Sequence, residues 1–456
     1  MTRRHEVTLE PGTFRYRELT LDISLDPVAV AARLARDGGF DTHVVYEAGG
    51  RATFAGGVLG EIIVDRHGFT TRWGTEEEEW RPLDGPPLDQ VADFLRLAPV
   101  GDWRAYGFAA FELGHLQAGR VEMAGDDTLL HLVIPHVQVV LEHDRAVVRA
   151  TDWDTLDQVA DLVCADEAAP VYTTRPLTSD NNGSAYITAV ASAVREIRAQ
   201  RLDKVIVSRV VPVDFDVDLV GTYVVGRRAN TPARSFLLRM GDLAATGFSP
   251  ETLLEVEPDG RVITRLVAGT CARTGDADTD ARLRDELLNN PKEVFEHAIS
   301  VRSAAEDLAK ICLPGTVKGH EFMSVQQRGS VQHLDSTITG RLDHGLSCWD
   351  AFAKLFPAAA VSGIPRDTAY QAIHRLESEP RGLYSGAVFT CGADGDFDAA
   401  LALRSIFRAG GRNWLRAGAG IVAQSRPERE HEETREKLRS VSRHLVPVLP
   451  YDGELP

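Results

Sequence analysis

The chain has 456 residues, 43% of them hydrophobic, which is enough for a large core, and a formal net charge of −17. That acidic excess argues against a nucleic-acid partner and against an anionic membrane surface. No run approaches the roughly 18 consecutive apolar residues that span a bilayer, so no membrane partner is expected either. Five cysteines (Cys164, Cys271, Cys312, Cys348 and Cys391) are odd in number and lack C-x-x-C spacing. They fit reduced thiols of a cytoplasmic protein better than a disulfide framework or a zinc site. Met1–Val7 has no apolar run behind it, so no secretory signal is expected.

In chain order, strands are expected at Thr42–Glu47, Ile62–Val64, Ala105–Phe111 and Val137–Glu142, separated by turns. The acidic run Glu76–Glu79, between Trp73 and Trp80, reads as a solvated loop or strand edge. Asp166–Gly183 is loop-like, with Ala-Ala-Pro and Ser-Asp-Asn-Asn-Gly around a short extended piece. It divides an N-terminal part, residues 1–175, from a region 176–450 within one structural domain. An amphipathic helix Ser184–Arg201 follows, then a β-branched strand Lys204–Val213 and strands at Arg234–Met240, Leu253–Val256 and Val262–Thr264. Helices are expected at Thr279–Leu308, Trp349–Leu355 and Arg366–Leu376. A hairpin-like pair, Ala399–Ile406 and Trp414–Val422, then leads to a Glu-rich C-terminal helix. Strand groups mixed with helical groups, without a regular βαβ alternation, indicate an α+β fold.

Two acidic pairs stand out. Glu430, Glu433 and Lys437 fall at i, i+3 and i+7, and Glu293 and Glu296 at i, i+3, so each set shares one helix face. Taken alone, such spacing describes solvated helices with internal salt bridges. Hard divalent cations such as Mg²⁺, however, need only two or three helix-borne carboxylates when water and substrate supply the rest.

Further segments give this pattern a context. Lys204-Val-Ile-Val-Ser-Arg209, Asn230-Thr-Pro-Ala-Arg-Ser-Phe236, Phe248-Ser-Pro-Glu251 and Ala268-Gly-Thr270 are followed by Lys292–Val301. Gly329-Ser-Val-Gln-His-Leu334, Arg381-Gly-Leu-Tyr-Ser-Gly386 and the C-terminal block complete the order. Together they resemble the chorismate-utilising enzymes: anthranilate synthase large subunits, aminodeoxychorismate synthases, isochorismate synthases and salicylate synthases. The likeness covers at least Tyr186–Leu445 and is greatest to the siderophore-type salicylate synthases. Arg104–Glu112 also resembles the family's N-terminal core strand.

The resemblance implies a large single-domain anthranilate synthase component I-like fold, with antiparallel sheets in a sandwich-like core and helices packed outside. It implies Mg-dependent conversion of chorismate, via isochorismate, to salicylate and pyruvate. In that reading Lys204 activates water and Glu251 protonates the departing hydroxyl, which requires a carboxyl pKa pushed up by burial. His333 lies beside the ring. Mg²⁺ falls to Glu296, Glu430 and Glu433 with Glu293 close by, and Lys437 pairs with a ligating or substrate carboxylate. Tyr384 and Arg404 resemble a clamp for the enolpyruvyl carboxylate, and backbone N–H groups at Gly269, Thr270, Gly418 and Gly420 approach the substrate. A monomer or weak homo-oligomer is expected.

Lys204 stands where ammonia-using members carry glutamine, and Ala268 where aminodeoxychorismate synthases carry a nucleophilic lysine, so water addition is the better reading. Ala360 stands where salicylate synthases carry threonine, and Arg265-Leu266 replaces a common Glu-Pro. Termination at isochorismate, an ammonia-using reaction and an inactive chorismate-binding homologue therefore remain as alternatives.

Overall fold

The computed structural model describes residues 14–166, 170–177, 183–328 and 331–448. The N-terminal stretch read for a leader, parts of Asp166–Gly183, and Gly329 and Ser330 of one motif lie outside the described residues.

Two antiparallel sheets of 11 strands each carry the architecture. One contains His43–Ala48, Arg234–Met240, Leu243–Ser249, Ser405–Ala409, Arg412–Ile421 and Lys204–Val213 as consecutive neighbours. The other contains Val331–Arg341, Arg261–Ala272, Thr252–Val256, Phe397–Leu401, Ala387–Gly392 and Arg104–Ala109 in that order. Early and late strands interleave: His43–Ala48 pairs with Arg234–Met240, and Arg104–Ala109 with Ala387–Gly392.

The inner faces meet through Val44, Tyr46, Phe236 and Leu238 from one sheet and Tyr106, Phe108, Val388 and Ala400 from the other. Helices cover the outer faces. Pro27–Asp37, Trp153–Cys164 and Leu219–Ala229 bury apolar stripes against the first sheet. Pro87–Arg96, Pro291–Leu308 and Cys348–Leu355 do so against the second. Lys204–Val213 is rich in valine and isoleucine and buried at every position but Pro212, because both of its faces are covered. Helices Gly183–Arg198 and Arg366–Leu376 pack on one of those faces through Val190, Ile197, Tyr370 and Ile373. The result is an α+β sandwich of antiparallel sheets with helices outside.

Three expected elements differ, and each difference shapes the site. The helix expected over Thr279–Leu308 is two helices, Ala277–Asn289 and Pro291–Leu308. Asn290 takes extended backbone, as a residue before proline prefers, and its side chain accepts from Lys292 N, so a new helix starts there. The strand expected at Val262–Thr264 runs from Arg261 to Ala272. Its inward–outward alternation continues to a bulge between Ala268 and Thr270, where Gly269 has φ +81°. The stretch Ala399–Ile406 is not one strand of a hairpin. Phe397–Leu401 belongs to one sheet and Ser405–Ala409 to the other, and the chain changes sheet at Arg404, whose φ is +52°.

Candidate active site

The start of helix Pro291–Leu308 brings Lys292, Glu293, Glu296 and Ser300 toward helix Pro427–Ser442, which carries Glu430, Glu433 and Lys437. All four glutamates are buried, and all four lie close to one shared ammonium, that of Lys292. Its Nζ lies 3.1 Å from Glu293, 3.3 Å from Glu296, 3.3 Å from Glu430 and 3.7 Å from Glu433. Burial alone would lower the lysine pKa, but the four carboxylates hold it well above its ordinary value.

Crowding divides the acids. Burial and the neighbouring Glu433 push Glu430 up to about 8. Glu433 is also buried, yet Lys437, at 2.7 Å, and Lys292 hold it far below the usual carboxylate range. Burial raises Glu293, whereas Lys204 and Lys292 outweigh burial and lower Glu296. Among the described residues no three acidic, imidazole or thiol groups already stand in metal-ligating geometry, because these carboxylates point at an ammonium. The donor set nonetheless fits a hard cation: oxygen ligands only, converging on one point already filled by positive charge. Glu293, Glu296, Glu430 and Glu433 would hold Mg²⁺ once Lys292 withdraws.

Lys204 opens the strand Lys204–Val213, is 0% exposed, and donates to Ser300 Oγ at 2.9 Å. Its Nζ also lies 3.2 Å from Glu296 Oε1, so one carboxylate serves both the lysine and the acidic cluster. Glu251 follows the strand Leu243–Ser249 and is buried. One of its oxygens accepts from Val267 N at 2.8 Å; the other has no hydrogen-bond partner among the described residues. Burial pushes its pKa up to about 7, against the pull of the Val267 N–H and of Lys204. A carboxyl so placed is able to carry and release a proton near neutrality.

Glu251 lines a cavity with Thr270, Ala360, Tyr384, Arg404 and Lys437. Gly269, Glu296, His333, Gly418, Gly420 and Glu433 also reach it. Arg404 is the outlying charge. Its guanidinium donates to Lys437 O at 3.1 Å but has no acidic partner among the described residues, and burial pulls its pKa down to about 10. Uncompensated buried charge is costly, and a guanidinium fork matches a carboxylate. His333 Nδ1 is 3.0 Å from Thr270 Oγ1, which fixes the ring at the bulge. Lys437 Nζ donates to Gly418 O at 2.9 Å.

Gly269, Thr270, Gly418 and Gly420 all line the cavity, in tight surroundings. A Cβ on Gly420 would lie 1.7 Å from Glu296 Oε1, so this glycine makes room for a carboxylate of the protein. Gly418 is likewise closed in by Val207 O at 2.8 Å and the Tyr384 hydroxyl at 3.0 Å from its would-be Cβ. Thr270 N–H is engaged with Glu293 Oε2 at 3.3 Å, so it does not point freely into the cavity.

Sequence alone does not single out Lys292 and Ser300, although Lys292, Glu296 and Ser300 at i, i+4 and i+8 share a helix face. That spacing was the available signal.

A family model described as "chorismate binding enzyme" matches residues 52–443. A salicylate synthase of Mycolicibacterium paratuberculosis is 41% identical over 94% of this chain and 96% of its own length. An anthranilate synthase component 1 of Halobacterium salinarum is 38% identical over 64% of this chain and 57% of its own. Among solved structures, the menaquinone-specific isochorismate synthase MenF of Escherichia coli superposes with a TM-score of 0.72 at 22% identity. That match covers 95% of this chain and 96% of MenF. The structure of DhbC from Bacillus anthracis gives 0.68 at 21% identity, over 91% of this chain and 99% of that one, which supports the shared fold. Matched over most of its length in sequence and fold, the chain belongs to the chorismate-binding enzyme family.

Proposed function

We propose that the protein converts chorismate through isochorismate to salicylate and pyruvate, supported by Mg²⁺. Arg404 carries the reading: a buried guanidinium beside the cavity, with no carboxylate in ion-pair contact among the described residues, calls for an anionic substrate group. Tyr384 lies on the same cavity and supplies a phenol donor beside it. Mg²⁺ bound by the glutamates would engage the ring carboxylate and draw electron density from the diene.

In the first step Lys204, as the neutral amine, removes a proton from water, whose oxygen bonds to C2 of the ring. The double bonds shift, and the C4 hydroxyl leaves as water with the proton from Glu251. Lys204 is now the acid and Glu251 the carboxylate, and exchange with solvent resets both. In the second step the C2 hydrogen passes to the enolpyruvyl methylene as the ether C–O bond breaks. Pyruvate leaves and the ring becomes aromatic. This rearrangement needs a folded conformer more than a catalytic group, and Arg404 and Tyr384, both on the cavity wall, would hold it.

The salicylate synthase relative, matched over nearly the full length of both chains, supports the second step. One observation favours the alternative of release at isochorismate. Ala360 lines both this cavity and an adjoining pocket to which Ala358 and Ala359 also contribute, so small side chains border the cavity on that side. Purified protein with chorismate and Mg²⁺ should yield fluorescent salicylate and an equal amount of pyruvate. Isochorismate accumulating without pyruvate would instead establish the alternative.

A further inference from the structure

Against the wall of the cavity, which Arg416 itself lines, lies a buried ionic cluster that the chemistry above does not use. Glu377, at the end of helix Arg366–Leu376, has a side chain only 3% exposed between Arg381, 1% exposed, and Arg416, 2% exposed. One carboxylate oxygen accepts from Arg381 Nη2 at 2.7 Å and from Ser208 N at 2.7 Å. The other accepts from Arg416 Nη2 at 2.7 Å and Arg381 Nε at 3.0 Å. With four donors on two oxygens, the carboxylate is saturated.

Each arginine then reaches further. Arg381 donates to Val361 O at 2.7 Å and Ile206 O at 2.9 Å, both from cavity-lining residues. Glu112 accepts from Arg381 N at 2.7 Å and Gly382 N at 3.0 Å, which secures the turn that leads to Tyr384. Arg416 donates through Nε to Ser208 Oγ at 2.9 Å. The Tyr384 ring lies near both guanidiniums, with its centroid 5.9 Å from Arg381 and 5.6 Å from Arg416. Cation–π attraction depends on where the cations sit, and Glu377 sets both.

We infer that Glu377 is a positioning residue for the reaction: through Arg381 and Arg416 it fixes Tyr384, and with it the enolpyruvyl end of the substrate. A buried pair retained only for stability would gain little, since desolvation offsets much of its Coulomb energy. Here the cluster joins the strand that carries Lys204, the Val361 loop, the Tyr384 turn and the strand that carries Gly418. Lys204 itself is held separately, by Ser300 and Glu296.

The test is a double-mutant cycle on chorismate consumption with Glu377→Gln and Tyr384→Phe. Each substitution alone should lower kcat/KM about tenfold, and the double variant should lose about the same tenfold, not a hundredfold. Losses that multiply would show that Glu377 does not act through Tyr384 and would overturn the inference. Should Glu377→Gln not fold, Ser208→Ala, which removes one strut, takes its place with an expected loss of about threefold, again absorbed by Tyr384→Phe. A second readout, resting on the salicylate reading, is isochorismate released per pyruvate formed. It is independent of the active fraction, so a purely structural defect leaves it unchanged, whereas mispositioning should raise it about tenfold. An unchanged ratio in folded Glu377→Gln would contradict the inference. Absence of pyruvate from the wild type would refute the salicylate reading instead, and the cycle would still decide the role of Glu377.

Discussion

Replacing Lys292 with methionine tests the acidic cluster, because it removes the cation and keeps most of the side-chain volume. In the metal-free protein this leaves Glu293, Glu296, Glu430 and Glu433 without the ammonium that lies within 3.1 to 3.7 Å of each. Breaking a buried ion pair from one side costs about 3–5 kcal/mol. The unfolding entropy of a 456-residue chain, at roughly 2.1 cal/mol/K per residue, is about 1 kcal/mol/K. The expected loss in Tm is therefore about 3–5 °C without metal. Mg²⁺ should bind the variant more tightly than the wild type, by about tenfold or more, because the one ammonium that reaches all four carboxylates no longer competes for their oxygens. Differential scanning fluorimetry with and without Mg²⁺, together with calorimetric titration of Mg²⁺, measures both effects. An unchanged Tm and unchanged Mg²⁺ affinity would refute the idea that Lys292 holds the cation position.

The remaining predictions concern the cavity. Glu251, raised to about 7 by burial, must be protonated to act as an acid, so kcat/KM should fall as pH rises through about 7. Its folded pKa exceeds its unfolded value, so its contribution to stability declines from about pH 4.5 to about pH 7 and then levels off; Glu251→Gln should remove that slope and abolish turnover. A pH profile flat across that window would exclude the role. Lys204→Ala should lose most water addition, and the wild type in ¹⁸O-water should label the new ring hydroxyl; unlabelled product would remove water as the nucleophile. Gly420→Ala places a methyl where Glu296 Oε1 would be 1.7 Å away. Displacing that carboxylate should lower turnover about a hundredfold while circular dichroism stays native, and near-normal activity would contradict the packing argument.

The sequence carried more of the site than of the connections that build it. The two Glu pairs at helical spacing were readable because periodicity places each on one helix face, whereas Lys204 at a strand start drew attention only through the family resemblance. Glu251 was readable only through resemblance, since its raised pKa comes from burial that no local pattern encodes. The helix break at Asn290–Pro291 had a clear proline signal that the helical pattern on both sides obscured. Arg404 looked like a strand residue because left-handed backbone at a non-glycine position leaves no compositional trace. Lys292 had the right spacing but no visible partner across helices, because Glu430 and Glu433 lie far along the chain. Glu377, Arg381 and Arg416 were invisible for the same reason: their partnership is made by sheet and turn, not by sequence neighbourhood.

The most direct measurement follows chorismate, Mg²⁺ and the purified protein in one cuvette with lactate dehydrogenase and NADH. The proposed reaction predicts NADH oxidation matching salicylate fluorescence one to one, with both lost in EDTA and restored by added Mg²⁺. Chorismate consumed into isochorismate with no NADH oxidised, or full turnover in EDTA, would contradict it.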